Sequence, residues 1–327
     1  MSLKFVYALI SNEQDFYAEQ AALSMHSLRL HNPDSHITLV TDEETLDALT
    51  GNRSLIRQYV NEFVIVNPPA DFSPKQKSRF LKTSLRQNIK GDFLFLDCDT
   101  IVTDRLDALE DVQCDVAAVY AQHTNSRDIY YFDKHWNSNN EHRHMTQYYE
   151  VRDVPADEKY EIRFHCNSGV MLCRDTENAY RLFETWHQFW LESSTVYGYH
   201  SDQCDLWRAD AALNGIMTEL DGSYNCQIIY PFMVVRYIFD CKVFHYFSTS
   251  RRYNWISFKN PSVLKKVRKD GISSDLEKRM RTLVEEYFRD YIAYRSPLVE
   301  LAKEVSTRYP SINKLVKKIN KLRKKSK

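Results

Sequence analysis

An α/β fold, a mostly parallel sheet with helices on both faces, follows from three features of the sequence. Short apolar runs alternate with helical patterns from Phe5 to Leu96, the order in which crossover helices wind a parallel sheet. The runs are apolar enough to be buried strands. The last of them delivers two aspartates to what would be its carboxyl end, where open α/β sheets bind ligands.

Phe5–Ile10 reads as the first strand, and polar Ser11–Asp15 follows it. A helical pattern then runs from Phe16 to Leu30, with Ala21, Ala22, Met25 and Leu28 on one side. His36–Thr41 is a second strand, and Asp42-Glu43-Glu44 opens the next helix, since acids favour a helix N-terminus. Glu62–Val66 is a third strand, stopped by Pro68-Pro69. Ser78–Ile89 reads as a helix with Leu81 and Leu85 inward, and Phe93–Leu96 is the fourth strand. Further strands are expected at Ala117–Tyr120, Ser168–Cys173, Ile228–Tyr230 and Val243–Tyr246, with a helix over Ala179–Glu192. Residues 121–160 are polar and aromatic with weak periodicity, a long loop region with short helices. From Ser274 onward the chain is helical and charged. Ile312, Leu315, Val316, Ile319 and Leu322 form the apolar face of a basic amphipathic tail, which has eight Lys/Arg and no acid from Lys314 on.

Composition narrows the function classes. The 327 residues are 43% hydrophobic, enough for one large α/β domain with an extension. Only seven glycines are present, and neither a dinucleotide-binding fingerprint nor a phosphate-loop motif occurs. The formal net charge is zero, so the molecule as a whole carries no polyanion signal, and nucleic acid is disfavoured as a partner. Seven irregularly spaced cysteines, none in a C-x-x-C pair, are neither a disulfide framework nor a zinc ribbon. They point to reduced thiols in a cytoplasmic compartment. The apolar N-terminal run breaks at Ser11-Asn12-Glu13, too short for a secretory signal. No run approaches the length of about 18 apolar residues that a membrane helix needs.

Phe93-Leu94-Phe95-Leu96-Asp97-Cys98-Asp99 is the most informative stretch. Burying two carboxylates is costly without compensation. A hard Mg²⁺ or Mn²⁺ ion, shared with substrate phosphates, would provide it. The plainer alternative is a strand end followed by a polar turn. A haloacid-dehalogenase-like phosphatase uses a similar D-x-D-x-T context, but here Thr100 comes one place early and the motif lies behind three strands.

With these residues in order, the chain resembles the nucleotide-diphospho-sugar transferases of GT-A fold. The glycosyltransferase family 8 type, which includes glycogenin and bacterial galactosyl- and glucosyltransferases, is the nearest. The resemblance runs over about residues 3–250. Its landmarks are Tyr7-Ala8-Leu9-Ile10-Ser11 with Tyr17, Lys82-Thr83, Asp97-Cys98-Asp99, Asn167-Ser168-Gly169-Val170, Ser201-Asp202-Gln203, Tyr224-Asn225 and His245. It implies a transferase domain over 1–255 and a helical extension with the basic tail over 256–327.

The resemblance also implies roles. Asp97, Asp99 and His245 would hold Mn²⁺ or Mg²⁺, and Lys82 would contact the diphosphate or sugar. Asn167, Asp202 and Gln203 would line the sugar pocket and act in catalysis. Ala8, Ile10, Ser11 and Tyr17 would flank the nucleotide. Read alone, His245 is a packed histidine, Lys82 a helix-surface lysine, Asn167 a turn cap and Asp202 a helix cap. The chain also departs from the family: Ile10 stands where an acid or Asn is usual, and no H-x-x-G-x-x-K-P-W follows His245. Arg251 or Arg252 could replace the missing lysine. The implied reaction moves a hexose from a UDP-sugar to a glycan or lipid-linked acceptor with retention. A non-catalytic nucleotide-sugar-binding protein of the same fold is the competing class. Trp136, Tyr148 and Tyr149 are candidates to stack on acceptor sugars, and residues 312–327 to touch an anionic membrane peripherally.

Overall fold

The structure, a computed structural model, describes residues 3–123, 164–198, 200–228, 231–246 and 257–288. Trp136, Tyr148, Tyr149, Arg251, Arg252, the boundary at 255 and the tail at 312–327 lie outside the described residues.

The amino-terminal half alternates as expected. β1 (Lys4–Leu9) leads to α1 (Tyr17–His31), β2 (His36–Thr41), α2 (Glu43–Ala48) and β3 (Glu62–Ile65). The acid-rich start of α2 has a physical cap, since Asp42 accepts from the Thr45 amide at 2.8 Å. The apolar side of α1 packs down on the sheet, and Met25 and Leu28 are fully buried there, each worth about 2 kcal/mol.

The next helix differs from its expected span. It runs as α3 (Pro74–Thr83) and, after a break at Ser84, as α4 (Leu85–Asn88). Ser73 and Gln76 form a capping box with Pro74 in the first turn, which starts the helix a turn earlier. At the break, the Ser84 hydroxyl donates back to the Phe80 carbonyl at 2.8 Å and competes with the helical ladder.

β4 (Phe93–Leu96), β5 (Thr100–Val102), β6 (Val116–Tyr120), β7 (Cys166–Cys173) and β8 (Met217–Glu219) follow. The main sheet has the order β3-β2-β1-β4-β7-β6-β8. All its pairings are parallel except those of β7, which runs antiparallel to both β4 and β6. That reversal matters for the site. The start of β7 lies beside the end of β4, with Leu96 opposite Val170 and the Asp97 amide donating to the Gly169 carbonyl at 2.8 Å.

A second sheet, in the order β5-β10-β9, stands on the first. β10 (Val243–His245) is antiparallel to β5 with His245 opposite Thr100, and β9 (Cys226–Gln227) is parallel to β10. Of the strand expected at Ile228–Tyr230, residues 229 and 230 lie outside the described residues; the strand that runs parallel to β10 is formed by Cys226 and Gln227 just before it.

Helices α5 (Glu177–Thr195), α6 (Gln203–Ala212) and α7 (Pro231–Ile238) complete this part. Beyond it lie α8 (Pro261–Asp270), α9 (Ser274–Arg281) and α10 (Leu283–Tyr287). Phe258, Leu264, Val267, Met280 and Tyr287 share one apolar cluster with Leu23, Ile101, Phe244 and Tyr246. All seven cysteines are free thiols. Among the described residues no helix is long and apolar enough to cross a membrane.

Candidate active and metal site

The end of β4, the start of β7 and the end of β10 converge on one point. Asp97, Asp99 and His245 each offer a ligand atom there, all within 4.8 Å of one another. Asp97 and Asp99 keep about a quarter to a third of their side chains exposed, whereas the His245 side chain is 1% exposed. Thr100 shapes the turn between the aspartates, its hydroxyl donating to the Asp97 carbonyl at 2.8 Å. Cys98 points away, to the Ala8 carbonyl at 3.6 Å, and burial pushes its thiol well up. It is not a ligand.

A chain of amides fixes the histidine. Asn167 Oδ1 accepts from the Gly169 amide at 3.0 Å and from Asn225 Nδ2 at 2.9 Å. Asn225 Oδ1 is thereby turned to His245 Nδ1, 2.9 Å away, so that Nδ1 carries the proton. The other ring nitrogen, Nε2, then faces Asp99 Oδ1 at 3.3 Å. Two such acceptors need a proton or a metal cation between them, which is the condition a metal site satisfies. Burial alone would raise the Asp99 carboxyl; a proton on His245 Nε2, facing it, outweighs that and makes the net direction down. Room for the cluster comes from Gly169. A Cβ there would lie 2.2 Å from His245 Cε1 and 2.9 Å from Asp97 Oδ2.

The second half of the site is an ion cluster under the carboxyl edge. Lys82, 3% exposed on α3, sits 3.0 and 3.1 Å from the two Asp97 oxygens and 3.3 Å from Asp202 Oδ2. Arg79, one turn earlier on the same face, lies 2.8 Å from Asp202 Oδ1. Ser168 donates to Asp202 Oδ2 at 2.9 Å. Burial would raise the Asp202 carboxyl, and Arg79, Lys82 and Ser168 together hold it far below the ordinary carboxylate range. Asp202 occupies the N-cap position of α6 but makes no side-chain cap bond; the ion cluster takes its oxygens instead. Next to it, Gln203 Oε1 accepts from Asn167 Nδ2 at 3.1 Å, which joins Gln203 to the amide chain.

The residues after β1 divide. Ala8 and Ile10 are half-buried, and Tyr17 is 57% exposed at the head of α1. Arg79 is held above its ordinary value chiefly by Asp202, and Tyr17 is among the smaller contributors, together with Asp97 and Asp99. Ser11 is turned inward: its amide donates to Thr45 at 3.1 Å and its hydroxyl to Asp15 at 2.5 Å.

Two basic residues escaped the sequence reading. Arg79 was signalled by its i, i+3 spacing from Lys82 on one helix. Lys259 is half-buried near Asp99: burial lowers its ammonium and Asp99 acts in the opposite sense. Its signal was Lys259-Asn260-Pro261, a lysine ahead of a helix-opening proline downstream of His245.

The fold is that of the GT-A glycosyltransferases. Among solved structures, the chain is similar to the bifunctional glycosyltransferase WbbM, with a TM-score of 0.51 and 16% identity over 76% of this chain and 46% of that one. It also matches the galactosyltransferase LgtC, solved with donor and acceptor sugar analogs (TM-score 0.48, 16% identity, 84% of this chain and 99% of that one). A third is the glycosyltransferase GlyE of Streptococcus pneumoniae (TM-score 0.49, 18% identity, 88% and 64%). No protein-family model matches the sequence, and no curated protein sequence does.

Proposed function

We propose that the chain is a metal-dependent glycosyltransferase that moves a hexose from a UDP-sugar to a hydroxyl of a glycan or lipid-linked acceptor, with retention. The observation that carries this reading is the convergence of Asp97, Asp99 and His245 at the carboxyl edge of a GT-A sheet. Two carboxylates and an imidazole with its proton held on the far nitrogen suit Mn²⁺ or Mg²⁺. When bound, such an ion supplies Lewis-acid stabilisation of the charge that gathers on the departing diphosphate.

The chain's own groups do the remaining work. Lys82 and Arg79 set positive charge beside the acidic pair. They draw the diphosphate in and hold it as the sugar leaves. Tyr17 supplies an exposed aromatic wall on the nucleotide side. Gln203 and Asn167, tied together, present an amide edge to the sugar hydroxyls.

Asp202 is a poor nucleophile, because Ser168, Arg79 and Lys82 already occupy its oxygens. Gln203 is a neutral amide. Both facts favour a front-face displacement. The bond from the sugar anomeric carbon to the diphosphate oxygen breaks, the bond to the acceptor oxygen forms on the same face, and the acceptor proton passes to the leaving phosphate.

A panel of nucleotide sugars, scored for Mn²⁺-dependent hydrolysis, tests the reading. Wild-type chain is expected to release UDP slowly from one donor, and Asp99→Ala to abolish that release while the melting temperature stays near wild type. An Asp99→Ala protein that keeps near-normal Mn²⁺-dependent turnover would remove the metal assignment.

A further inference from the structure

A buried ion cluster outside the catalytic groups ties the carboxyl-terminal helices to the loop that leaves β1. Its centre is Glu19 in the first turn of α1, which is 3% exposed. Arg53, from the 3-10 turn Gly51–Gln58, reaches Glu19 Oε1 at 3.2 Å and the Ser11 hydroxyl at 2.5 Å. Arg268, from α8, grips the same carboxylate with two nitrogens, 2.7 Å to Oε1 and 3.0 Å to Oε2. The Arg268 guanidinium also donates to the Glu13 carbonyl at 2.8 Å and to the Asp15 carbonyl, and it lies 4.7 Å over the Phe16 ring. One side chain thus satisfies a buried carboxylate, two loop carbonyls and an aromatic face.

What Arg268 holds is the stretch between β1 and α1. Within it, the Asp15 carboxylate accepts from the Ser11 hydroxyl, the Asn12 amide at 2.9 Å and the Tyr17 amide at 3.0 Å. The loop is therefore folded on itself by Asp15 and fastened from outside by Arg268. β1 and β4 are parallel neighbours, so this loop leaves the sheet at the edge where Asp97 stands. Glu13 and Asp15 in the loop, and Glu19 in the first turn of α1, carry a charge that would repel an anionic ligand if it were not neutralised.

We propose that Arg268 is a positioning residue for the donor nucleotide: it locks the Ser11–Tyr17 loop in place, so that Tyr17 is presented as a preformed wall and the carboxyl-terminal extension becomes part of the donor site. The inference rests on the nucleotide-sugar reading above. Its physical basis is preorganisation, since a loop ordered before binding does not charge its ordering entropy to the ligand.

The test uses the full-length chain and the variants Arg268→Ala and Arg268→Lys. Glu19 keeps Arg53 in both, so the fold is expected to survive, and lysine retains the charge while losing the second grip. UDP is titrated by calorimetry with Mn²⁺ present, and Mn²⁺ alone is followed by electron paramagnetic resonance. Arg268→Ala should weaken UDP by about tenfold, Arg268→Lys by less, with Mn²⁺ binding and turnover at saturating donor unchanged. Variants that melt earlier but bind UDP like wild type would show a purely structural contact and overturn the proposal. A wild-type chain that binds no UDP would instead bring down the donor reading, and the clamp with it.

Discussion

Gly169 shows how little room the acidic pair and the histidine leave. A methyl group at this position would overlap the His245 ring, which is itself almost fully buried and has nowhere to retreat. Gly169→Ala is therefore expected to cost about 2 kcal/mol by overpacking and to abolish Mn²⁺ binding. Denaturant melts and Mn²⁺ resonance spectra check the two parts separately; unchanged Mn²⁺ binding would mean that His245 does not belong to the metal site. Asp202 supports a second prediction, on pH. Its folded carboxyl is held below the unfolded value, so its stabilisation is full above that value and fades as pH falls from there toward the folded one. Asp202→Asn should cost about 3 kcal/mol at pH 7. The gap to wild type should shrink by about 1 kcal/mol at pH 3. A gap that does not change between these pH values would place the cause outside the Arg79–Asp202–Lys82 cluster.

Among the elements, β4 was legible because four apolar residues end abruptly in Asp97 and Asp99, a charged stop that marks the end of a buried strand. β2 was legible to the residue, since HITLVT is bounded by polar turns. The start of α3 was not, although Ser73-Pro74 and Gln76 carried the capping signal, because that polar first turn lies before the apolar period of Leu81 and Leu85. The short strands β5 and β9 have too few residues for any period to show, and they exist only because β10 lies between them. The reversed direction of β7 left no mark in its own composition. Yet this reversal brings Asn167, Ser168 and Gly169 to the end of β4.

Taken as a whole, the molecule has a described extension that is not an appendage. Phe258, Leu264, Val267 and Tyr287 complete a core begun by α1, β5 and β10, and Arg268 fastens the loop after β1. The basic tail past Pro310 makes a separate prediction from its pattern alone. An apolar stripe with lysines on the other face favours an anionic membrane surface, with about 1 kcal/mol for each well-placed basic residue. Full-length chain should cosediment with anionic liposomes at low salt and release at high salt. A chain truncated after Pro310 should stay in solution and keep its donor hydrolysis. Equal partitioning of the two would remove the tail from membrane binding.

The sequence by itself determined the strand and helix alternation, the place of Asp97 and Asp99 at a sheet edge, and the candidate partners Lys82, Asn167, Asp202, Gln203 and His245. The first two depend on local period and on the cost of ending a buried strand in charge, both of which are written in neighbouring residues; the partners came from the order of landmarks that the resemblance supplies, not from any local pattern. Only the tertiary structure decided that Lys82 and Arg79 share Asp202, that Asn225 sets the proton on His245, that Gly169 leaves space for the cluster, and that Arg268 reaches Glu19. Those contacts join residues far apart in the chain. Their distances are set by how the two sheets and the extension pack, and no local pattern encodes that packing.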